Sequence, residues 1–223
     1  QIASTGRTVC IVELRPGYGT VPLMLKLQPA HDLCELLSRP PEEIRDKDVL
    51  GRLVTHSSGL RVLAAPRVSE GPCDISAELV DALHSRLAAN FDCVLYDLPP
   101  TWSAANRAAI ALARLTILVL EPDPCGVECV KASLATLRHW GIMGDMVGLV
   151  TVNRGNISTP LPIPSLKNTV GANIVGAVPP APEAVLAGMR EGVPLVTLQP
   201  KHLAATGIRE MTERILAERL RPL

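Results

Sequence analysis

The chain has 223 residues, 47% of them apolar and 20% charged, with 22 basic and 22 acidic side chains and hence no net charge. That is material for one domain with an ample core, and balanced charge without a basic run argues against a dedicated nucleic-acid binder, which needs clustered Lys and Arg against phosphates. Aromatic residues make up only 2%, too few for a base-stacking surface, and no apolar run approaches the roughly 18 residues of a membrane-spanning helix.

Thr8 to Leu14 (TVCIVEL) is short, β-branched and apolar, and predicts a buried strand followed by the loop RPGYGT. Short helices are expected over 23–27 and 32–37, the second stopped by Pro40-Pro41, then a solvated helix over 42–52. His56-Ser57-Ser58-Gly59 reads as a turn into a second strand over 60–64. Asp74 or Ser76 can cap a helix running to about Ala89, with Leu79, Leu83 and Leu87 on one face. A third strand is expected over 91–96, an Ala-rich helix over 101–113 and a fourth strand over 115–120. Val127, Val130, Leu134 and Leu137 mark the inner face of the next helix, which Gly141 can close. Strands over 146–152 and 173–178, a helix over 181–190 and a last helix over 203–220 complete the pattern. In that last helix Glu210 and Arg214 stand in the favourable i,i+4 order.

Strands alternate with helices, and the strands are apolar on both faces. The expected fold class is α/β, a three-layer arrangement of one mostly parallel sheet with helices on both faces. No linker or repeat divides it, so residues 1–223 are read as a single domain. Cys10 and Cys93 fall inside apolar strands, as free buried thiols do in a reducing compartment. Cys125 and Cys129 share a helix face, and without further ligands nearby they are read as packing residues.

Ligands of open parallel sheets bind at the carboxyl ends of the strands. The polar residues expected there are Glu13 and Arg15, Asp97 before Leu98-Pro99-Pro100, Asn153-Arg154, and the Val178-Pro179-Pro180-Ala181 turn. A carboxylate after a buried strand needs hydrogen bonds or a cation. Asp97 therefore either holds magnesium or bonds the amides of its own turn. Asn153 either reads a purine edge or ties down a turn. Gly17-Tyr18-Gly19 has two glycines of a dinucleotide fingerprint, but Pro22 stands where the third belongs.

The segments GRTVCIVELRPGYG, GLRVLAAP, FDCVLYDLPP, TVNR and IVGAVPPAPEAVLAGMREGVPLV occur in an order and spacing that resembles the MinD/ParA-type P-loop ATPases over residues 7–220. The nearest likeness is to the CpaE-like branch associated with pilus assembly and localisation. The resemblance implies an ATP and magnesium site in which Asp97 is the Walker B aspartate and metal ligand, Asn153 with Arg154 reads adenine, and Val178, Pro179, Pro180 and Ala181 pack on the base. It also implies a cytoplasmic protein that forms a homodimer when nucleotide is bound and meets the proteins of a localisation or secretion apparatus.

Two departures bear on activity. The family opens with a strand, a K-G-G-x-G-K-T phosphate loop and a helix, and no G-x-x-x-x-G-K-[ST] stands anywhere in this sequence. Gln1 to Thr5 are read as the tail of that helix. The expectation is a chain shortened at its N-terminus by about thirty residues or more, with ATP binding weak or absent. Where the family has D-x-D, this chain has Glu13 and Arg15; Glu13 is left as the candidate catalytic acid, because a guanidinium has no acceptor for water or magnesium. Three functions follow: an ATP-driven switch that positions an assembly of pilus, secretion, septum or DNA-partitioning type; a non-hydrolysing scaffold acting by protein–protein contact; and a dinucleotide-dependent enzyme. ATPase activity is left open between the first two.

Overall fold

The computed structural model describes residues 1–66, 73–155 and 161–219; the expected end of the last helix at residue 220 lies outside them. The chain forms two compact units, residues 2–112 with 189–193, and residues 113–188 with the segment from 194.

The first unit contains β1 (Val9–Glu13), α1 (Val21–Met24), α2 (Asp46–Leu50), β2 (Val54–Thr55), β3 (Arg61–Leu63), α3 (Ala77–Ala88), β4 (Cys93–Asp97) and α4 (Ala104–Leu112). Short 3-10 helices occupy Ile2–Thr5, Leu33–Ser38 and Pro41–Glu43. Its strand order is β2-β3-β1-β4, with β1 parallel to both β3 and β4 and β2 antiparallel to β3. The helix expected over 42–52 is broken at Ile44, whose backbone is extended and whose side chain is fully buried in the core. Cys10, Val12 and Leu14 around β1 pack with Leu33, Leu36, Leu83 and Leu87. The α3 face is the expected one, and the cap is Ser76, whose hydroxyl accepts from Leu79 N–H at 3.2 Å.

The second unit contains β5 (Thr116–Leu120), α5 (Pro124–His139), β6 (Val147–Val152), α6 (Ile163–Val170), β7 (Asn173–Val178), α7 (Pro182–Glu191), α8 (Leu195–Leu198) and α9 (Leu203–Arg219). Its strands run parallel in the order β5-β6-β7. Val127, Val130, Leu134 and Leu137 are the buried residues of α5, as the spacing predicts. α9 approaches β7 so closely that a Cβ at Gly207 would lie 2.6 Å from the Ala177 carbonyl oxygen, a reason for glycine there. Glu210 and Arg214 make no ion pair; Arg214 Nη1 donates instead to the Val175 carbonyl at 3.2 Å.

The α/β class with parallel strands is as expected, but the strands form two sheets where one was expected. β4 and β5 are each the edge of their own sheet. Leu95 of β4 and Ile117 and Val119 of β5 are exposed, although the apolar pattern marks them for burial. The cysteines also depart from expectation. Cys10 and Cys93 are free and buried, but Cys34 and Cys73 are joined in a disulfide, and Cys125 and Cys129 are exposed rather than packed. No helix among the described residues is long and apolar enough to cross a membrane.

Asp92 joins the entries of β1 and β4. Its carboxylate accepts from Thr8 N–H and Thr8 Oγ1, each at 2.7 Å, and these bonds hold it below the usual carboxylate range, the backbone bond contributing most. A lowered folded-state pKa gives stability that is present above the unfolded value of about 3.9 and fades as pH falls through the folded one. Asp92→Asn is expected to flatten the loss of stability on the acid side of that value. Denaturation midpoints measured down the acid range would show it, and an unchanged acid slope would refute it.

Candidate functional site

β1 and β4 pair in register, so their last residues, Glu13 and Asp97, stand side by side. Side chains alternate along a strand, which puts Glu13 and Arg15 on one phase of the chain leaving β1. Leu14 N–H donates to the Asp97 carbonyl at 3.0 Å and extends the ladder past Glu13. Asp97 is thus the final residue of the strand, and the turn that follows is fixed from α4. Asn106, 2% exposed, donates from Nδ2 to the carbonyls of Pro99 at 3.0 Å and Thr101 at 2.7 Å.

The Asp97 carboxylate is taken up by Arg15. Nε donates to Oδ2 at 2.7 Å and Nη2 to Oδ1 at 3.0 Å, a two-pronged pair with both side chains about one-third exposed, 32% and 33%. Hydrogen bonding to Asp97 raises the Arg15 pKa further, so the guanidinium stays charged. Screening by solvent limits the pair to about 1 kcal/mol of stability.

Glu13 is fully buried, and its carboxylate is met by backbone amides. Oε1 accepts from Thr20 N–H at 2.7 Å and Val21 N–H at 2.6 Å; Oε2 accepts from Ala65 N–H at 3.2 Å. One side chain therefore gathers the loop after β1, the start of α1 and the end of β3. Gly19 passes directly over it, where a Cβ would run into the carboxylate.

A magnesium site needs free carboxylate oxygens. Both oxygens of Asp97 are held by Arg15 and those of Glu13 by amides. Among the described residues no group of three or more His, Cys, Asp or Glu side chains could hold a metal ion. As placed, neither carboxylate presents an oxygen free of a hydrogen bond.

The remaining candidates lie in the second unit, at the carboxyl ends of β6 and β7. Asn153 is buried, and its N–H donates to the Val178 carbonyl at 3.1 Å, which places the two strand ends together. Arg154 is 82% exposed along its side chain and turns to Glu121, with Nε to Oε1 at 2.6 Å and N–H to Oε2 at 3.2 Å. Val178, Pro179, Pro180 and Ala181 are half-buried, and the Ala181 carbonyl accepts from Val185 N–H at 2.9 Å in the first turn of α7.

Sequence reasoning missed three residues that shape these positions: Asn106, Glu121, and Ala65 through its amide. Asn106 had a faint signal, since Ser103 three residues before it caps its own N–H at 3.1 Å. Nothing in the pattern marks the other two.

No protein-family model matches the sequence, and no curated protein matches it. Solved structures do. The chain is similar to the septum site-determining protein MinD complexed with Mg-ADP from Pyrococcus horikoshii OT3, at 17% identity, with 100% of this chain and 89% of that one covered and a TM-score of 0.81. It is also similar to the cell division ATPase MinD of Pyrococcus furiosus, at 19% identity, 97% and 88% coverage and a TM-score of 0.81. A ParA family ATPase from Chlorobium tepidum TLS follows at 13% identity, 94% and 86% coverage and a TM-score of 0.81. At these identities the likeness is one of fold: the structural neighbours are MinD/ParA-type P-loop ATPases, and their α/β architecture is this chain's.

Proposed function

We propose that this chain is a scaffold on the MinD/ParA fold, acting by protein–protein contact without turning ATP over. The Arg15–Asp97 pair carries the reading. An aspartate meant for a metal leaves its oxygens open to water and ion; here a permanent cation, two residues past the end of the neighbouring strand, neutralises it. The fold of its structural neighbours, with the CpaE-like resemblance, supports a role in positioning a pilus or secretion assembly in the cytoplasm.

A second reading keeps ATP as the effector of a homodimerising switch. It is favoured by the Mg-ADP held in a MinD structure of the same fold and by the buried Asn153 at a strand end. Phosphate release from ATP and magnesium by the 223-residue chain tests the scaffold reading directly. That reading expects none above background, and magnesium-dependent release that Asp97→Ala abolishes would overturn it in favour of the switch. Arg15→Asp replaces the internal cation with a second carboxylate beside Asp97. This variant is expected to bind Mn2+ at least about tenfold tighter than the wild type, measured by the ion's magnetic-resonance signal. Equal affinities would show that Arg15 does not keep metal away from Asp97.

A further inference from the structure

A second opening lies within the second unit at the other end of its sheet, away from Asn153 and Val178. A cavity of about 430 Å³ lies against the first residues of β6 and β7, Val147 and Asn173, and the last turns of α5 and α6. Its volume falls in the range of small-ligand pockets, roughly 300–1,000 Å³. Leu134 and Val147 are buried in its wall, and Ile142 is half-buried beside them.

Two cations share the lining, Arg138 of α5 and Lys167 of α6, together with the carboxylate of Asp145. Counting these three, the lining carries one net positive charge. Placing cations in the last turns of helices complements the helix dipoles, which is reason enough for one of them at each helix. α5 and α6 connect parallel strands and run the same way, which brings both cations to one end of the sheet and onto a single cavity. Arg138 and Lys167 are both exposed, so their head groups are open to a ligand from solvent. The helix ends themselves are closed: Gly141 N–H donates to the Arg138 carbonyl at 3.0 Å, Ile142 N–H to the Leu137 carbonyl at 2.9 Å, and Gly171 N–H to the Lys167 carbonyl at 2.9 Å. Their carbonyls compete little for a ligand.

We infer that this cavity binds a short acidic segment of a protein partner, one carboxylate set between Arg138 and Lys167 and an adjoining apolar side chain laid on Leu134, Ile142 and Val147. Guanidinium and ammonium supply the charge-assisted hydrogen bonds a carboxylate takes. The apolar wall distinguishes such a segment from a bare inorganic anion. The site is independent of the fate of nucleotide at the opposite edge, so it stands whichever reading of that edge holds.

The test is an NMR titration of the isotope-labelled 223-residue chain with capped tripeptides, acetyl-Leu-Glu-Leu-amide against acetyl-Leu-Gln-Leu-amide, with inorganic phosphate as a separate arm. The glutamate peptide is expected to give saturable amide shifts confined to Gly144, Gly171, Ala172 and Asn173 and their neighbours, with an affinity at least about fivefold above the glutamine peptide. The double variant Arg138→Gln, Lys167→Gln is expected to lose that preference while the rest of its spectrum is unchanged. Absence of saturable shifts at low-millimolar peptide overturns the proposal. So does a preference that survives the double variant, or phosphate binding as tightly at the same amides.

Discussion

Replacing Glu13 with alanine is expected to destabilise the chain by about 3–5 kcal/mol. Glu13 is fully buried and is the sole acceptor shown for the N–H groups of Thr20, Val21 and Ala65. Alanine leaves three donors without a partner, each worth roughly 1–3 kcal/mol, and removes the post around which three segments meet. Glu13→Gln keeps one acceptor oxygen but turns an NH2 toward an amide donor, so a loss of about half that size is expected. Gly19→Ala approaches the same defect from the other side, by pushing a methyl into the carboxylate. Urea denaturation midpoints would rank them. A Glu13→Ala chain within about 1 kcal/mol of wild type would show that water replaces the carboxylate and that the anchor is dispensable.

Much of the fold could be read from residue pattern because it depends on local chemistry. The β-branched apolar run at 9–13 forms its strand, Ser76 caps its helix, and the four apolar residues of α5 face inward. Two helices show the limit of such reading. α6 has Pro at its first turn and lies in a segment rich in Pro, Ser and Thr, a composition that argues for loop, although proline is well accommodated at a helix start. The helix expected over 42–52 breaks because Ile44 is drawn into the core, a tertiary demand that no local preference registers.

Register and neighbour identity explain the larger departures. Apolar residues on both faces of a strand say that it belongs in a covered sheet, not which strand lies beside it. The apolar pattern alone therefore marks neither the edge positions of β4 and β5 nor the exposure of Leu95 and Val119. At the candidate site the sequence marks Glu13, Arg15 and Asp97 as unusual but gives Arg15 no partner. Only the pairing of Glu13 with Asp97 across two strands brings Arg15 within reach of the aspartate. Glu13 takes its three amide partners from loops whose path depends on the folded backbone, so its anchoring role has no signature in the sequence.

Reduction of the Cys34–Cys73 disulfide is expected to lower the stability of the chain by roughly 3–4 kcal/mol. Closing a loop of 39 residues removes about that much chain entropy from the unfolded state, the upper part of the range seen for native disulfides. The bond is also anchored on both sides. Leu33, next to Cys34, donates its N–H to the Ala64 carbonyl at 2.8 Å, and Cys73 N–H donates to the Pro16 carbonyl at 2.7 Å. Pro16 follows Arg15, so the disulfide holds a strap against the same loop that carries the guanidinium to Asp97. Thiol titration of the unfolded, unreduced chain should count four of the six cysteines, and six would mean that the bond does not form. Given four, urea midpoints with and without a phosphine reductant measure its contribution. Cys34→Ser should reproduce the reduced value and should not respond to reductant. A wild-type chain equally stable in both conditions would show that the hydrogen bonds at Ala64 and Pro16 hold these loops without the covalent link.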